Sequence, residues 1–241
     1  MIRKAIICHL FYYDLVEDLL ARLSAITDEQ TFHFFNVPEN ALMATEIVQQ
    51  VRQRFPQSFI LRSPAVGRDI GGKLLLLSLM LRLGIQSDYT LIVHDKKSPH
   101  LVDGNKWREE LYSVFETGKV RQVFNVFEDD DRIGVIGASR FVTNEYVASS
   151  DEFMCTSSPL LKELRNEYAI ATDDYDFIAG NIFWIRSELL SRFFGNRNIW
   201  NIHSRLESGN TLDFSKGTRL HAWERIFSWI ATSQGYKVYG L

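Results

Sequence analysis

The sequence predicts an α/β fold, built on a mostly parallel sheet that is covered by helices on both faces. Between residues 4 and 93, short apolar segments alternate with segments that have the periodicity of amphipathic helices. The apolar segments are nearly continuous, which is typical of parallel strands buried on both faces. The chain has 241 residues and no linker-like or repeated segment, so we expect one domain spanning residues 1–241.

The first part of the chain predicts four strands and three helices in strict alternation. Asp14 is expected to cap the first helix, Pro38 to end the second strand and Gly84 to end the third helix. The strands are expected at residues 4–8, 31–37, 58–61 and 89–93, and the helices at residues 14–26, 40–55 and 73–83.

The second part of the chain is less regular. Its last predicted helix carries Trp223, Ile226, Phe227 and Ile230 on one face. Residues 143–158 are polar and are expected to form a loop. The other predicted elements are helices at residues 105–115, 159–168 and 218–232, a strand at 132–137, and a strand or strand pair at 176–185.

Composition excludes several classes of protein. The net charge of -3 and the absence of a basic stripe give no indication of a nucleic-acid-binding protein, so no nucleic-acid partner is expected. Cys8 and Cys155 are too few for a disulfide framework or a cysteine metal site, so the cytoplasm is the expected compartment. The N-terminal segment is too polar for a signal peptide, and the apolar run at residues 74–83 is too short to span a membrane.

The predicted sheet indicates where a ligand would bind. In open parallel sheets, ligands bind beyond the carboxyl ends of the strands. The residues at or just after the ends of the predicted strands are His9, Asn36, residues 62–72 and residues 94–100. We therefore expect the functional site at this edge of the sheet.

The first of these segments is rich in glycine and lies between the third strand and the third helix. Gly67 and Gly72 would let the backbone turn tightly and approach a ligand closely. A helix that starts after them would favour an anion, and Arg68 could bind a phosphate or pair with Asp69. A simple glycine-rich turn with a surface ion pair is the structural alternative.

The same segment nearly matches a P-loop. Gly67, Gly72 and Lys73 have the required spacing, but Leu74 stands where a P-loop has a serine or threonine that binds magnesium. An NTPase or phosphotransferase is therefore an alternative function. It predicts magnesium-dependent binding of ATP or GTP that is lost in Lys73→Ala.

The segment after the fourth strand concentrates charge. His94, Lys96, Lys97 and His100 could neutralise a diphosphate as it leaves. Asp95 could instead hold Mg²⁺ or Mn²⁺, which would act as a Lewis acid. A solvated charged loop is the structural alternative.

Two later motifs could complete a site. Gly180 and Asn181 form a small turn before an aromatic strand, and the Asn181 amide could bind sugar hydroxyls. On the last helix, Glu224 lies near His221 and beside Arg225, and it could serve as a general base. A hairpin turn and a surface ion pair are the structural alternatives.

Taken together, these motifs resemble the rhamnan synthesis protein F family of bacterial polysaccharide assembly. Each motif is weak alone, but the combination follows the family's order over most of the chain. The matching stretches are Gly67-Arg68-Asp69-Ile70-Gly71, His94-x-Lys96-Lys97-Ser98-Pro99-His100, Trp107-Arg108, Gly180-Asn181-x-Phe183-Trp184-x-Arg186 and His221-Ala222-x-Glu224-Arg225.

The resemblance implies a glycosyltransferase with a GT-A-like, Rossmann-type fold. Residues 1–137 would bind a nucleotide sugar and residues 138–241 would form the acceptor side. The 67–72 segment would border the nucleotide, the 180–181 turn would match the acceptor loop, and Glu224 would be the catalytic carboxylate. Many such enzymes have an Asp-x-Asp metal site where this chain has His94-Asp95-Lys96, which leaves dependence on Mg²⁺ or Mn²⁺ open.

The implied reaction is displacement at the anomeric carbon of a nucleoside-diphosphate sugar, with inversion. The donor is dTDP-rhamnose by the family's name, with UDP- and GDP-sugars left open. The acceptor would be a cell-surface polysaccharide or lipopolysaccharide glycan, free or lipid-linked, reached at the inner face of the membrane through partners.

Glu224, Asp173 or Asp174 would take the acceptor's proton, while Arg68 and the 94–100 segment meet the charge of the leaving group. On this basis Lys73→Ala should matter less than Lys97→Ala. A non-catalytic glycan-assembly subunit remains a further alternative, favoured by the missing Asp-x-Asp.

Overall fold

The computed structural model describes residues 2–97, 103–209 and 217–241. The strands in these ranges are β1 (Lys4–His9), β2 (Thr31–Pro38), β3 (Phe59–Ser63), β4 (Tyr89–His94), β5 (Ile133–Gly137), β6 (Val142–Thr143), β7 (Tyr146–Val147), β8 (Glu152–Phe153), β9 (Phe177–Ile178), β10 (Phe183–Arg186) and β11 (Lys237–Gly240). The helices are α1 (Tyr13–Ala25), α2 (Ala44–Arg54), α3 (Arg68–Arg82), α4 (Gly104–Tyr112), α5 (Thr117–Asp129), α6 (Ser158–Glu167), α7 (Ser187–Phe194), α8 (Ile199–Ser204) and α9 (Arg219–Thr232). Short 3₁₀ turns follow α4 at Ser113–Phe115 and β5 at Ser139–Phe141.

The main sheet has seven strands in the order β11-β5-β10-β4-β1-β2-β3. β10 is antiparallel to its neighbours β4 and β5, and the other strand pairs are parallel. Every residue of β1 and β4 is buried, as their continuous apolar sequences require. The predicted α/β fold with a mostly parallel sheet is confirmed.

The strand order also places the helices. From β1 to β2 to β3 the chain moves in one direction across the sheet, and from β3 to β4 it moves back across β1. Because such crossovers are right-handed, α1 and α2 cover one face and α3 covers the other. The reversal lies between β1 and β4, which makes their carboxyl ends the expected binding crevice.

Several predicted helix starts are wrong. The cap of α1 is Tyr12 rather than Asp14, whose carboxylate pairs with Lys97 at 2.6 Å. α2 begins at Ala44 rather than residue 40, because the preceding residues turn and Met43 takes a left-handed conformation with φ of 58°. α3 begins at Arg68 rather than residue 73, so the glycine-rich segment is mostly helix.

Other elements were not predicted or differ in kind. α5, α7, α8 and β11 have no counterpart among the predicted elements. Residues 176–185 form two strands that join different sheets, since β9 pairs with β6 and β10 enters the main sheet. The expected loop at residues 143–158 contains the short pair β7 and β8. Within the described ranges, no helix is both long and apolar enough to cross a lipid bilayer.

Candidate functional site

The carboxyl ends of β1 and β4 open into a cavity of about 240 Å³, which we call the first cavity. His9 and His94, the last residues of these strands, are partners in the parallel register. The cavity therefore lies at the reversal of strand order, where the topology predicts a ligand. It is lined by His9, Phe11, Tyr12, Pro38, Asn40, Pro64, Ala65, Arg68, Asp69, His94, Asp95, Lys96, Lys97 and Gly209.

A smaller second cavity of about 70 Å³ adjoins the first. The two cavities share Arg68, Asp69, His94 and Lys96 as a common boundary. The second cavity is completed by Ile70, Gly180, Asn181, Leu220, His221 and Glu224. The structure thus brings together predicted site residues from α3, the end of β4, the 180–181 turn and α9.

The glycines of α3 serve packing rather than ligand approach. Gly67 takes a left-handed conformation, and neither it nor Gly72 lines a cavity. A Cβ atom on Gly72 would lie 2.2 Å from His9 Nδ1, and one on Gly71 would lie 1.9 Å from the Val66 carbonyl oxygen. The glycines therefore let α3 press against β1, β2 and the segment before it.

This arrangement contradicts the P-loop alternative. A P-loop wraps a phosphate with backbone N–H groups and extends its lysine toward that phosphate. Here residues 68–73 are helical, and the Lys73 side chain is 0% exposed with partners on every N–H. The geometry of this segment therefore does not support an NTPase or a phosphotransferase.

We expect Gly71→Ala to destabilise the protein by about 1–3 kcal/mol, because the new methyl group would overlap backbone that cannot move away cheaply. Gly118→Ala is the matched control, since Gly118 lies in α5 with open space around its Cα. There, alanine should stabilise the helix by up to about 1 kcal/mol. Urea unfolding of both variants tests this, and equal effects would contradict the packing role.

A buried cluster around Lys73 holds the boundary of the two cavities. Lys73 Nζ donates to Asp69 Oδ2 at 2.9 Å, to His94 Nδ1 at 2.9 Å and to the Asn181 carbonyl oxygen at 3.0 Å. An ammonium group has three N–H donors, so all are used. The cluster ties α3 to the end of β4 and to the 180–181 turn.

The charges in this cluster are unequal. Burial lowers the pKa of Lys73, and the adjacent Asp69 carboxylate counteracts this. Although burial acts to raise the pKa of Asp69, the Lys73 ammonium holds it well below its usual range. Burial and the Lys73 charge lower the pKa of His94 well below its usual value, so His94 is neutral near pH 7. The expectation that His94 adds positive charge is therefore wrong.

His9 belongs to a second buried chain of hydrogen bonds. Its Nδ1 lies 2.9 Å from Asn36 Oδ1, and Asn36 Nδ2 donates to Ser63 Oγ at 2.9 Å. Burial lowers the pKa of His9 to about 4, which leaves it uncharged as well. The ends of β1, β2 and β3 are thus connected by neutral hydrogen bonds.

Asp95 leaves one oxygen for the predicted metal site. Its Oδ2 accepts hydrogen bonds from the Phe11 N–H at 2.6 Å and the Tyr12 N–H at 2.5 Å, which fixes the start of α1. Its Oδ1 is buried and has no hydrogen-bond partner among the described residues, and burial raises the pKa of Asp95 to about 7. Mg²⁺ is commonly held by one or two carboxylates together with the phosphates of a substrate, so Oδ1 is the atom that would hold such an ion. The described ranges contain no group of three or more His, Cys, Asp or Glu placed to hold a metal ion.

Two cations at the common boundary have no ion-pair partner within the described residues. They are Arg68, which is exposed and has a φ of 48°, and Lys96, which is half-buried. Lys97 also lines the first cavity, but it pairs with Asp14 and lies 5.5 Å from the centre of the Tyr12 ring. The predicted residue His100 lies outside the described residues, as do Ser98 and Pro99.

The second cavity contains the predicted carboxylate. Glu224 Oε1 accepts the Gly180 N–H at 2.7 Å, and Oε2 lies 3.3 Å from Arg225, which is itself bound to Glu145. The alternative bases Asp173 and Asp174 line neither cavity. Glu224 is therefore the carboxylate among the three that could reach a ligand there.

Asn181 and His221 also line the second cavity. Asn181 takes a left-handed conformation with φ of 55°, and its buried amide oxygen and nitrogen have no hydrogen-bond partner in the part of the chain that the structure describes. An unpaired buried amide is costly unless a ligand or water binds it. His221 Nδ1 lies 2.6 Å from Thr218 Oγ1, which also caps α9.

Sequence reasoning missed the aromatic wall of the first cavity. Phe11 and Tyr12 follow β1 directly and form an edge-to-face pair with ring centres 5.1 Å apart. Their position two and three residues after His9 was a usable signal, because it is the end of a buried strand. Pro38 ends β2, Asn40 follows it, and Pro64 and Ala65 follow β3 in the same way.

The chain is similar in sequence to a protein of Xanthomonas campestris. WxcX, an uncharacterized protein of Xanthomonas campestris pv. campestris, is 26% identical over 240 residues in each of two strains. The alignments cover 97% of this chain and 32% of the relatives, so the chain spans about a third of their length.

A solved structure, the mannosyltransferase PcManGT of Pyrobaculum calidifontis in complex with GDP-Man and Mn²⁺, aligns with a TM-score of 0.47 at 12% identity. The alignment covers 100% of this chain and 55% of that chain. The family model described as rhamnan synthesis protein F matches residues 2–236. That match extends over nearly the whole chain, which therefore belongs to the rhamnan synthesis protein F family.

Proposed function

We propose that this chain is a glycosyltransferase of polysaccharide synthesis that takes a sugar from a nucleoside diphosphate. The observation that carries the proposal is the pair of adjoining cavities at the reversal of the sheet. Arg68 and Lys96, which have no ion-pair partner among the described residues, lie where the cavities meet, and a carboxylate, Glu224, lies in the second cavity. Membership of a rhamnan synthesis family supports the same function.

The first cavity is proposed to hold the nucleotide. Phe11 and Tyr12 offer an aromatic wall for the base, since aromatic rings stack readily on nucleobases. Arg68 and Lys96 are placed for the diphosphate, and Lys97 could join them by releasing Asp14. Residues 1–137 would thus bind the donor at the carboxyl ends of their strands, as expected for a GT-A-like fold. Residues 138–241 would form the acceptor side.

The second cavity is proposed to hold the transferred sugar and the attacking hydroxyl. Asn181 would bind sugar hydroxyls with its unpaired amide. Glu224 would take the proton from the acceptor oxygen as this oxygen bonds to the anomeric carbon. The bond from that carbon to the phosphate oxygen then breaks, and its electron pair leaves with the nucleoside diphosphate. Attack opposite to the leaving group inverts the anomeric centre.

In this proposal, cationic side chains of the protein neutralise the charge of the leaving diphosphate. Arg68 and Lys96 line both cavities, so either side chain could stay in contact with the diphosphate and neutralise its charge as it leaves. Mg²⁺ or Mn²⁺ held by Asp95 Oδ1 would supply Lewis-acid assistance to the same charge. His9 and His94 are neutral and contribute hydrogen bonds rather than charge.

The identities of the donor and of the acceptor are proposed from the name of the family. The donor would be dTDP-rhamnose, and the acceptor a glycan of the cell surface, including lipid-linked or lipopolysaccharide glycans. The chain would act in the cytoplasm and reach the inner face of the membrane through partners.

A thermal-shift panel tests this function. The protein would be heated with dTDP, UDP, GDP, CDP or ATP, each with EDTA, Mg²⁺ or Mn²⁺. A nucleoside diphosphate at about 100 times its dissociation constant should add about 2.7 kcal/mol of stability and raise the melting temperature. A shift only with a glycan, and none with any nucleotide, would instead indicate a non-catalytic glycan-assembly subunit. A shift only in the presence of Mg²⁺ or Mn²⁺ would indicate that the site binds the nucleotide together with a metal ion.

We expect Arg68→Gln to weaken binding of the nucleoside diphosphate by about 10- to 100-fold. A hydrogen bond to a charged group contributes about 1.5–3 kcal/mol, and Arg68 has no other ion-pair partner among the described residues. Arg192→Gln is the matched control, since Arg192 is an exposed arginine paired with Glu188 on α7. Calorimetric titration measures the affinity of both variants for the nucleoside diphosphate. An equal affinity in the two variants would show that Arg68 does not bind the ligand.

A further inference from the structure

His9 and His94 form a matched pair at the floor of the first cavity. They end neighbouring strands in register, both line the cavity, and both are buried, with exposures of 4% and 6%. A neutral imidazole has one N–H donor and one acceptor nitrogen, and its neighbours decide which nitrogen carries the proton. The hydrogen bonds around each ring settle this question.

The proton of His94 is fixed by Lys73. The ammonium group of Lys73 can only donate, and His94 Nδ1 lies 2.9 Å from it. Nδ1 must therefore be the acceptor, which places the proton of the neutral ring on Nε2. Lys73 is held in this role because its other two N–H groups donate to Asp69 and to the Asn181 carbonyl oxygen.

The proton of His9 is fixed by Asn36 in the opposite way. The Asn36 amide nitrogen lies 2.9 Å from Ser63 Oγ and 3.4 Å from the Leu61 carbonyl oxygen. A carbonyl oxygen can only accept, so the amide nitrogen points there and Oδ1 faces His9. His9 Nδ1 must then donate, which leaves Nε2 as a lone pair.

We infer that His9 Nε2 and His94 Nε2–H together bind a hydroxyl group of the ligand. Neither nitrogen has a hydrogen-bond partner within the described residues. A hydroxyl can donate to His9 and accept from His94 at once. An ionised phosphate oxygen offers lone pairs only, so it would meet the His9 lone pair unfavourably. The pair therefore selects a sugar hydroxyl and leaves the phosphates to Arg68 and Lys96.

This inference rests on the proposed function for the source of the hydroxyl. In a nucleotide sugar, that hydroxyl belongs either to the pentose of the nucleotide or to the transferred sugar. The first cavity holds both histidines, whereas the second cavity is lined by His94 alone of the two. The hydroxyl would therefore lie in the first cavity beside the common boundary.

Nitrogen NMR of the ligand-free protein tests the proton positions directly. Protein labelled with ¹⁵N in its histidine rings would be recorded at pH 7.5, with signals assigned from His9→Gln and His94→Gln. We expect the proton on Nδ1 in His9 and on Nε2 in His94. The same tautomer in both rings, or a protonated ring, would overturn the inference. In Lys73→Met, His94 should lose its single tautomer while His9 keeps its own.

Ligand additions to the same sample identify the hydroxyl. The probes are UDP, dTDP and GDP, each compared with UDP-glucose, dTDP-glucose or GDP-mannose. Shifts of both Nε2 signals with a nucleoside diphosphate would assign the hydroxyl to the pentose, and shifts only with the nucleotide sugar would assign it to the transferred sugar. Binding that leaves both Nε2 signals unchanged would overturn the inference but not the proposed function. Absence of binding by every probe would contradict both.

Discussion

Replacing Glu224 with glutamine is expected to lower the rate of sugar transfer by about 10²- to 10⁴-fold, the usual contribution of a general base. Glutamine keeps the size of the side chain and an oxygen that can accept the Gly180 N–H. It loses the capacity to take a proton and the negative charge that faces Arg225, which stays paired with Glu145. The variant should therefore fold, and it should bind nucleoside diphosphates as the natural chain does.

The control for this prediction is Glu188→Gln. Glu188 is exposed on α7 and pairs with Arg192, so its loss should leave transfer unchanged. Transfer would be measured as release of nucleoside diphosphate in the presence of acceptor, beside a binding titration of each variant. Unchanged transfer in Glu224→Gln would mean that another group takes the proton.

Among the described residues, Asp69 is the second carboxylate that lines the second cavity, and it is the weaker candidate. The Lys73 ammonium holds its pKa well below the usual range, despite the opposing effect of burial. A base works best when its pKa lies near the working pH. Asp69 is thus suited to remain charged and to hold Lys73, rather than to take and release a proton.

The main sheet was predictable because its parallel strands are marked by the sequence itself. β1 and β4 are buried along their whole length and β2 is buried from its third residue onward, and the central residues of all three are mostly apolar. The rule that ligands bind at strand ends then led to His9 and to residues 94–97. Both predictions depend on local composition and on general topology, which a single sequence carries.

The position of β10 in the sheet could not be predicted from the sequence. It is only four residues long, and it enters the sheet between β4 and β5 in the antiparallel sense. Apolar periodicity predicts that such a segment is a strand but not which neighbours it takes. The placement matters for function, because β10 follows the turn that carries Asn181 into the second cavity.

The glycine-rich segment was misplaced for a related reason. Glycine has low helix propensity, so a run containing Gly71 and Gly72 favours a loop. In the structure, these glycines are needed because β1, β2 and Val66 come too close for any side chain. The tertiary contact overrides the local preference, and no single-sequence pattern reports it.

Lys73 and Lys97 differ in their expected contribution to stability. The sequence predicts that Lys97 contributes more than Lys73 to sugar transfer, whereas the contacts of the two side chains concern the free energy of unfolding. Lys97 is 44% exposed and pairs with Asp14, which is 58% exposed, so Lys97→Ala should change the free energy of unfolding by about 0–1 kcal/mol. Lys73 is fully buried, and its three partners lie on different elements.

We expect Lys73→Met to lower the free energy of unfolding by about 3–5 kcal/mol, the usual cost of removing one partner of a buried ion pair. Methionine fills a similar volume but leaves Asp69 without its cation, and His94 Nδ1 and the Asn181 carbonyl without a donor. Urea unfolding of Lys73→Met beside Lys97→Ala measures the difference. A larger effect in Lys97→Ala would contradict the proposed role of the cluster.

A double variant separates the lost charge pair from simple loss of packing. Asp69→Asn added to Lys73→Met removes the carboxylate that the single variant leaves uncompensated. Because an unpaired charge costs more than a neutral amide at the same position, the double variant should be more stable than Lys73→Met alone. If the two changes instead add, the Lys73 ammonium acts mainly through its bonds to His94 and the Asn181 carbonyl. The cavity boundary would then depend on hydrogen-bond geometry more than on the ion pair.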